Sequence, residues 1–368
     1  MSDLINLNDA FFREQLITYI GNKRSLLGFI NSGIDFVKSK LNKNKIIAMD
    51  GFAGSGVVSR LLKFHCSELY ANDLELYSYI VNKCYLTNSC DTDMEYIKRN
   101  MDEINSIKNL RAGFITKNYA PIDDNNIQPN ERVFYTRRNA MFLDTAKDYI
   151  YKNIPRDMQH MFLAPLIVQA SIHTNTSGVF KGFHKKDGIG HFGGRGENAL
   201  SRIMSDIEME MPILRDTDCD VHLYQQDINE LVKGENTFDL VYYDPPYNQH
   251  PYGSNYFMLN ILANESENIE IQDGVSGITK NWNRSAYNKR VQAIQAMDDL
   301  IKNTKSKYIL ISYNNEGIIP FQDFINILEK YGRVDILEQE YNAYRGSRNL
   351  AGRNIKVKEF LLVLNKNG

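Results

Sequence analysis

Short apolar runs alternate along this chain with stretches whose apolar residues recur every three to four positions, which predicts strands and helices in turn. Strands are expected at 45–49, 68–71, 221–224, 239–243 and 307–312. Ile46-Ile47-Ala48-Met49 and Leu240-Val241-Tyr242-Tyr243 are almost wholly apolar, as strands covered on both faces must be. Helical spacing appears at 57–64, 77–86, 289–302 and 321–330. Such an order packs as a mostly parallel sheet covered by helices, a doubly wound α/β fold. Two further β-rich runs, 334–341 and 357–364, flank a polar, Arg-rich loop and are expected to form an antiparallel C-terminal hairpin at one edge.

The spacing is uneven. About 145 residues separate the second strand from the third, whereas a βαβ crossover needs only about 30. The excess predicts a mostly helical inserted module at 111–215, dividing a core domain made of 1–110 and 216–368. Helices are expected within it at 138–151, 157–171 and 197–209, with a glycine-rich basic stretch at 178–196.

Composition changes this picture little. Hydrophobic residues make up 43% and charged residues 24% of the 368 positions, an ordinary globular balance. No run of about 18 apolar residues is present, so no membrane span is expected. The N-terminus lacks the basic-then-apolar pattern of a secretory signal. Cys66, Cys84, Cys90 and Cys219 form no C-x-x-C pair, so no metal site is expected and the thiols suit a reducing cytoplasm. The formal net charge of -2 argues against a protein that coats nucleic acid, but not against an enzyme with one basic cleft.

Chemistry first shows where the first strand ends. It runs into Asp50-Gly51-Phe52-Ala53-Gly54-Ser55-Gly56 and then a helix, an arrangement that lets backbone approach a ligand closely at the carboxyl edge of a sheet. Asp73, at the end of the second strand, can accept hydrogen bonds from both hydroxyls of an adenosine ribose. The competing reading is a glycine turn without a ligand and an aspartate capping the next helix. A G-x-G-x-x-G match at Gly188-Ile189-Gly190-His191-Phe192-Gly193 follows Lys185-Lys186-Asp187 rather than a buried strand. It lacks the context of a dinucleotide site and is read as a flexible basic loop.

The fourth strand ends at Asp244-Pro245-Pro246-Tyr247. Proline cannot donate to a sheet ladder, so this pair must lie at or beyond the strand end, in a stiff loop. The loop offers a carboxylate, a carbonyl and an aromatic face. An amino group on a planar base is a poor nucleophile because its lone pair is delocalised into the ring. Two acceptors at its hydrogens, the Asp244 side chain and the Pro245 carbonyl, would free that lone pair for in-line attack on a methyl group. Tyr247 would stack on a base drawn out of its duplex. Cytosine C5 chemistry needs a cysteine nucleophile, and no cysteine here follows a proline.

Taken with Tyr19-Ile20-Gly21-Asn22-Lys23-Arg24, Phe52 to Gly56, Asp227 and Ser312 to Gly317, the tetrapeptide makes the chain resemble the Dam-like class of DNA adenine methyltransferases, and more closely the FokI-methylase type. The resemblance covers most of 19–110 and 216–364. It implies S-adenosylmethionine as cofactor. Tyr19 and Lys23 would meet its methionine end, with Lys23 paired to the carboxylate. The loop from Asp50 through Phe52, Gly54, Ser55 and Gly56 would cradle it, Asp73 would hold the ribose, Asp227 the adenine edge, and Asp244 would belong to the cofactor site as well. Read from the residues alone, Lys23 could equally be a solvated lysine and Asp227 a helix N-cap.

Three segments compete to read DNA. Asn175, Lys181, Lys185 and Lys186 lie in a stretch mixing donors, cations and aromatics, which suits phosphate and base contacts and equally a solvated loop. Asn255 and Tyr256, with Trp282-Asn283-Arg284-Ser285, could fold over an extruded base, although the single tryptophan fits a core as well. Arg345, Arg348 and Arg353 could clamp phosphate. The expectation is a site-specific adenine-N6 methyltransferase acting on double-stranded DNA, in the cytoplasm of a bacterium or encoded by a phage, with a cognate restriction endonuclease as partner. The rivals are an RNA base methyltransferase and a DNA-binding subunit without catalysis.

Overall fold

The computed structural model describes residues 5–246, 248–266, 268–315, 317–342 and 356–366. Its strands are β1 (Ile46–Asp50), β2 (Cys66–Asn72), β3 (Lys185–Lys186), β4 (Ile189–Gly190), β5 (Asp220–Tyr224), β6 (Phe238–Tyr243), β7 (Ser306–Asn314), β8 (Arg333–Asn342) and β9 (Lys356–Asn365). Seven of these form one sheet in the order β5-β2-β1-β6-β7-β9-β8. It is parallel from β5 to β7 and antiparallel through β9 and β8.

The apolar runs of β1 and β6 have the expected cause. All six residues of β6 are buried, as are all but Ile47 of β1. Leu240, Tyr242, Leu310 and Leu361 pack in one core with the helices Leu27–Leu41 and Val57–His65. Val241, Tyr243, Ile309 and Ile311 pack on the other face with Arg290–Asn303 and Phe321–Glu329. The chain winds one way from β1 through β2 to β5 and the other way from β6 to β7. β1 and β6 are therefore neighbours where the winding reverses, and the crevice at their carboxyl ends is where open α/β sheets bind ligands.

The antiparallel pair forms as the pattern indicates, but β9 inserts between β7 and β8 and leaves β8 as the edge. That makes β9 an interior strand, and Leu361, Leu362, Val363 and Leu364 are fully buried in it.

Between β2 and β5, the helices Leu76–Tyr85, Met94–Ser106, Arg137–Asn153 and His160–Ile172 share one core with Phe257–Ala263. His160–Ile172 is apolar on nearly every side and buried throughout most of its length, as a helix surrounded by others must be. Two local expectations need correction. Helix over 197–209 is confined to Leu200–Met204, because Glu197 and Ala199 adopt left-handed φ values of 47° and 55°, which interrupt a right-handed helix. The stretch read as a flexible loop contains a small ribbon, with Lys186 opposite Ile189 across Asp187 and Gly188. Both turn residues have positive φ, 52° and 88°, the geometry an Asp-Gly pair favours in a two-residue hairpin. Among the described residues no helix is long and apolar enough to cross a membrane.

Candidate active site

The loop leaving β1 is shaped first by its own packing. A Cβ on Gly51 would lie 2.5 Å from the Tyr243 ring, and one on Gly56, whose φ is +80°, would lie 2.7 Å from Asn82 Oδ1. Those two glycines therefore serve close approach within the protein, beyond the ligand approach that spacing suggests. The Gly54 N–H donates to Asp73 Oδ2 at 2.7 Å, and the Glu75 N–H donates to Asp73 Oδ1 at 2.9 Å. Asp73 thus joins the ends of β1 and β2 while lining the cleft between them.

Asp50 ends β1 and is buried. It accepts from the Ser59 hydroxyl through Oδ2 at 2.6 Å; the Phe52 backbone N–H also favours its ionised form, but Oδ1 makes no well-aligned hydrogen bond among the described residues. Burial pushes its carboxyl up to about 7. A buried acceptor without a partner is costly unless something else supplies a donor. Asp50 lines the cleft, so a cationic ligand group placed there would satisfy it.

Across the cleft, β6 delivers Asp244, and the following Pro246 lines the same space. Lys23 comes from the other end of the sequence, in a short turn that Asn22 caps through the Arg24 N–H. Lys23 is only 3% exposed. Its Nζ lies 3.0 Å from Asp244 Oδ1 and 3.2 Å from Glu359 Oε1. Among the described residues the structure therefore gives this ammonium two protein carboxylates as partners, whereas the motif implied a pairing with the methionine carboxylate. Burial raises the Asp244 carboxyl, and the Lys23 charge partly opposes the rise.

Tyr19 stacks with Tyr252 and Tyr256 at centroid distances of 4.8 and 4.7 Å. The Tyr256 hydroxyl accepts from the Ile20 N–H at 2.7 Å, and the Tyr252 hydroxyl donates to the Ile20 carbonyl at 3.0 Å. This aromatic group anchors the segment that carries Lys23. Asp227 accepts from the Asn229 N–H at 2.8 Å as an N-cap and also lines the cleft. The two readings of Asp227 are compatible.

The cleft measures about 910 Å³ with its open mouth and brings together Tyr19, Lys23, Asp50, Phe52, Gly54, Ser55, Asp73, Asp227 and Asp244. Gly56 stands behind it as the N-cap of the helix Val57–His65. Sequence reasoning missed Glu75, Tyr287, Asn288 and Glu359. Glu75 is buried and accepts from Asn260 Nδ2 at 2.6 Å and Asn283 Nδ2 at 3.3 Å. Asn288 Nδ2 donates to the Asn248 carbonyl at 2.8 Å, tying the 283–288 segment to the loop that follows β6. Only Glu75, two residues after Asp73, carried any signal, and it was that of a helix start.

The residues expected to read DNA divide. Lys181, Lys185 and Lys186 are exposed. Asn175 is fully buried; its amide donates to the Val133 carbonyl at 2.8 Å and accepts from the Gly193 N–H at 3.0 Å. Asn255 and Tyr256 are buried too, and the Asn255 carbonyl accepts from the Phe180 N–H at 2.7 Å. Burial takes all three off the surface expected to meet DNA, and internal hydrogen bonds hold the Asn175 and Tyr256 side chains. Tyr247, Arg345, Arg348 and Arg353 lie outside the described residues.

A doubly wound sheet with this loop, these strand-end acids and Asp-Pro-Pro at the winding reversal is a Rossmann-like methyltransferase core. A family model described as D12 class N6 adenine-specific DNA methyltransferase matches residues 19–327, and the chain belongs to that family. It is an adenine-specific DNA methyltransferase. Among similar proteins, Type II methyltransferase M.NlaIII of Neisseria lactamica is 29% identical over 95% of this chain and 99% of its own length. Type II methyltransferase M.CviAII of Paramecium bursaria Chlorella virus 1 is 25% identical over 95% of this chain and 98% of its own. Type II methyltransferase M.FokI of Planomicrobium okeanokoites is 24% identical over 89% of this chain, which spans 48% of that protein.

Proposed function

We propose that the chain binds S-adenosylmethionine in the cleft between β1 and β6 and transfers its methyl group to N6 of an adenine turned out of double-stranded DNA. The observation that carries this reading is the meeting of two halves in one space: the glycine loop with Asp50 and Asp73, and the strand-end acid Asp244. The bound cofactor supplies an electrophilic sulfonium methyl. Asp73 would hold the ribose hydroxyls and Asp227 the adenine edge. Asp50 Oδ1, buried and without a well-aligned hydrogen bond among the described residues, suits the cationic amino group of a methionine end.

Asp244 and the Pro245 carbonyl would accept hydrogen bonds from the target amino group, so that its lone pair becomes available. Positioned in line with that amino group, the cofactor would supply the methyl group and its sulfur would be the leaving group. The surplus proton on N6 is lost through Asp244 or to water. Preorganised acceptors of this kind contribute on the order of 3 kcal/mol each. Tyr247 would stack on the extruded base. The working context would be a restriction–modification system, with a cognate endonuclease, in the cytoplasm of a bacterium or phage-infected cell; the names of the similar type II methyltransferases support that setting.

Asp244→Ala tests the reading. Methyl transfer to DNA should fall by at least about a hundredfold while calorimetric cofactor affinity stays within a few-fold of the parent. Near-normal turnover would remove Asp244 from the chemistry. Sequencing of DNA from cells expressing the protein, with detection of modified bases, would give the target sequence.

A further inference from the structure

We infer that Glu359 is a positioning residue for methyl transfer, acting through Lys23 to set how strongly Asp244 accepts a hydrogen bond. The inference rests on the reading of Asp244 as the acceptor at the target amino group. Glu359 lies on β9, opposite Asn314 of β7 and Gln339 of β8, and is 0% exposed. Its chain neighbours Phe360, Leu361 and Leu362 are buried apolar residues. A carboxylate inside such a strand needs a reason, because burying a charge costs several kcal/mol unless it is paired and hydrogen-bonded.

The pairing it has is incomplete as a stability device. Lys23 Nζ is 3.2 Å from Oε1, yet neither Oε1 nor Oε2 makes a well-aligned hydrogen bond among the described residues. Stability alone would be served as well by an apolar residue. The ammonium it holds is the one that stands 3.0 Å from Asp244 Oδ1. Two carboxylates therefore share one cation, and Glu359, which does not line the cleft, reaches the reacting face only through Lys23.

Sharing has a consequence for Asp244. With the whole Lys23 charge on it, Asp244 would be a weak acceptor, its negative charge neutralised before the amino group arrived. Glu359 draws part of that charge away and fixes Nζ on the protein side of Asp244. Lys23 favours the ionised Asp244 carboxylate against the rise that burial causes, while the sharing leaves electron density for the incoming N–H. The negative charge of Glu359 also raises the proton affinity of its neighbour.

The test is Glu359→Gln, which keeps volume and removes charge. Expected are a fall in kcat of about tenfold, unchanged cofactor affinity and DNA KM, and an acid limb of the kcat profile displaced to lower pH. A variant with the parent's kcat and pH profile overturns the inference, as does one whose loss lies wholly in cofactor affinity. A second comparison holds even where the single variant folds poorly. In a Lys23→Met background, adding Glu359→Leu should leave kcat unaltered, because the route through Lys23 is already gone; a further loss overturns the inference. Asp244→Ala separates the two ideas. If it is inactive while Glu359→Gln is normal, only the role of Glu359 fails; if it remains active, the reading of Asp244 fails.

Discussion

Buried acids concentrate in this cleft, and they set how the ligand-free protein responds to pH. Asp50 and Glu75 are each raised to about 7 by burial, from ordinary values of 3.8 and 4.5. The folded state therefore holds protons that the unfolded chain has released. Stability falls as pH rises from about 4 to about 7, and the penalty stays in place above that window. A cationic group bound beside Asp50 would offset it. Asp50→Asn should accordingly raise the Tm of the ligand-free protein at pH 8 by about 2–4 °C for each kcal/mol recovered, and reduce the pH slope without abolishing it, since Glu75 titrates in the same window. Cofactor affinity should drop in the same variant. Scanning calorimetry between pH 5 and 8 decides the matter, and a Tm at pH 8 that is lower than the parent's contradicts this account of Asp50.

Elements matter here chiefly through what they carry to the cleft. The helix Val57–His65 does more than follow the glycine loop. Its buried Arg60 donates to the Phe11, Glu14 and Gln15 carbonyls at 2.7, 3.3 and 3.0 Å and stacks on Tyr85 at 4.1 Å, and so fastens the segment leading to Tyr19 and Lys23. On the far wall, the segment around Asn283 is held by Glu75 and passes directly over Gly253. A Cβ at Gly253 would fall 2.6 Å from the Asn283 carbonyl oxygen and 3.0 Å from its nitrogen. Because those are backbone atoms, Gly253→Ala must displace the segment. Expected is a reduction in DNA affinity of about tenfold with a native circular dichroism spectrum; an unchanged Kd for duplex DNA would show that this segment plays no part in holding the substrate.

For the whole molecule, the formal net charge of -2 means that attraction to DNA must come from local clusters rather than from overall charge. Lys181, Lys185 and Lys186 are exposed around the β3–β4 ribbon, which Asn175 anchors from beneath through the His191 carbonyl at 3.3 Å. Replacing the three lysines by glutamate should weaken duplex binding for every sequence and flatten the dependence of log Kd on log salt, by about 0.9 for each phosphate no longer neutralised. An unaltered salt slope would exclude this ribbon from the DNA surface.

The sequence by itself determined the strands, the two strand-end motifs and their order, because buried parallel strands are written as unbroken apolar runs and prolines can only follow them. The position of Asp50, Asp73 and Asp244 at the cleft was legible for that reason, since each ends or directly follows a strand, and Asp227 lies three residues past β5 as a helix N-cap. Tertiary structure alone decided the partners across the sheet. Lys23 and Glu359 are far apart along the chain, and their meeting depends on β9 entering between β7 and β8, which no local pattern specifies. Likewise Asn175 looked like a surface donor because a polar side chain in a glycine-rich stretch carries no mark of burial, and only the packing of 133–134 against 175–193 made it an internal tie. Periodicity reports what one segment needs to cover; which distant charge meets it is settled when the sheet closes around the cleft.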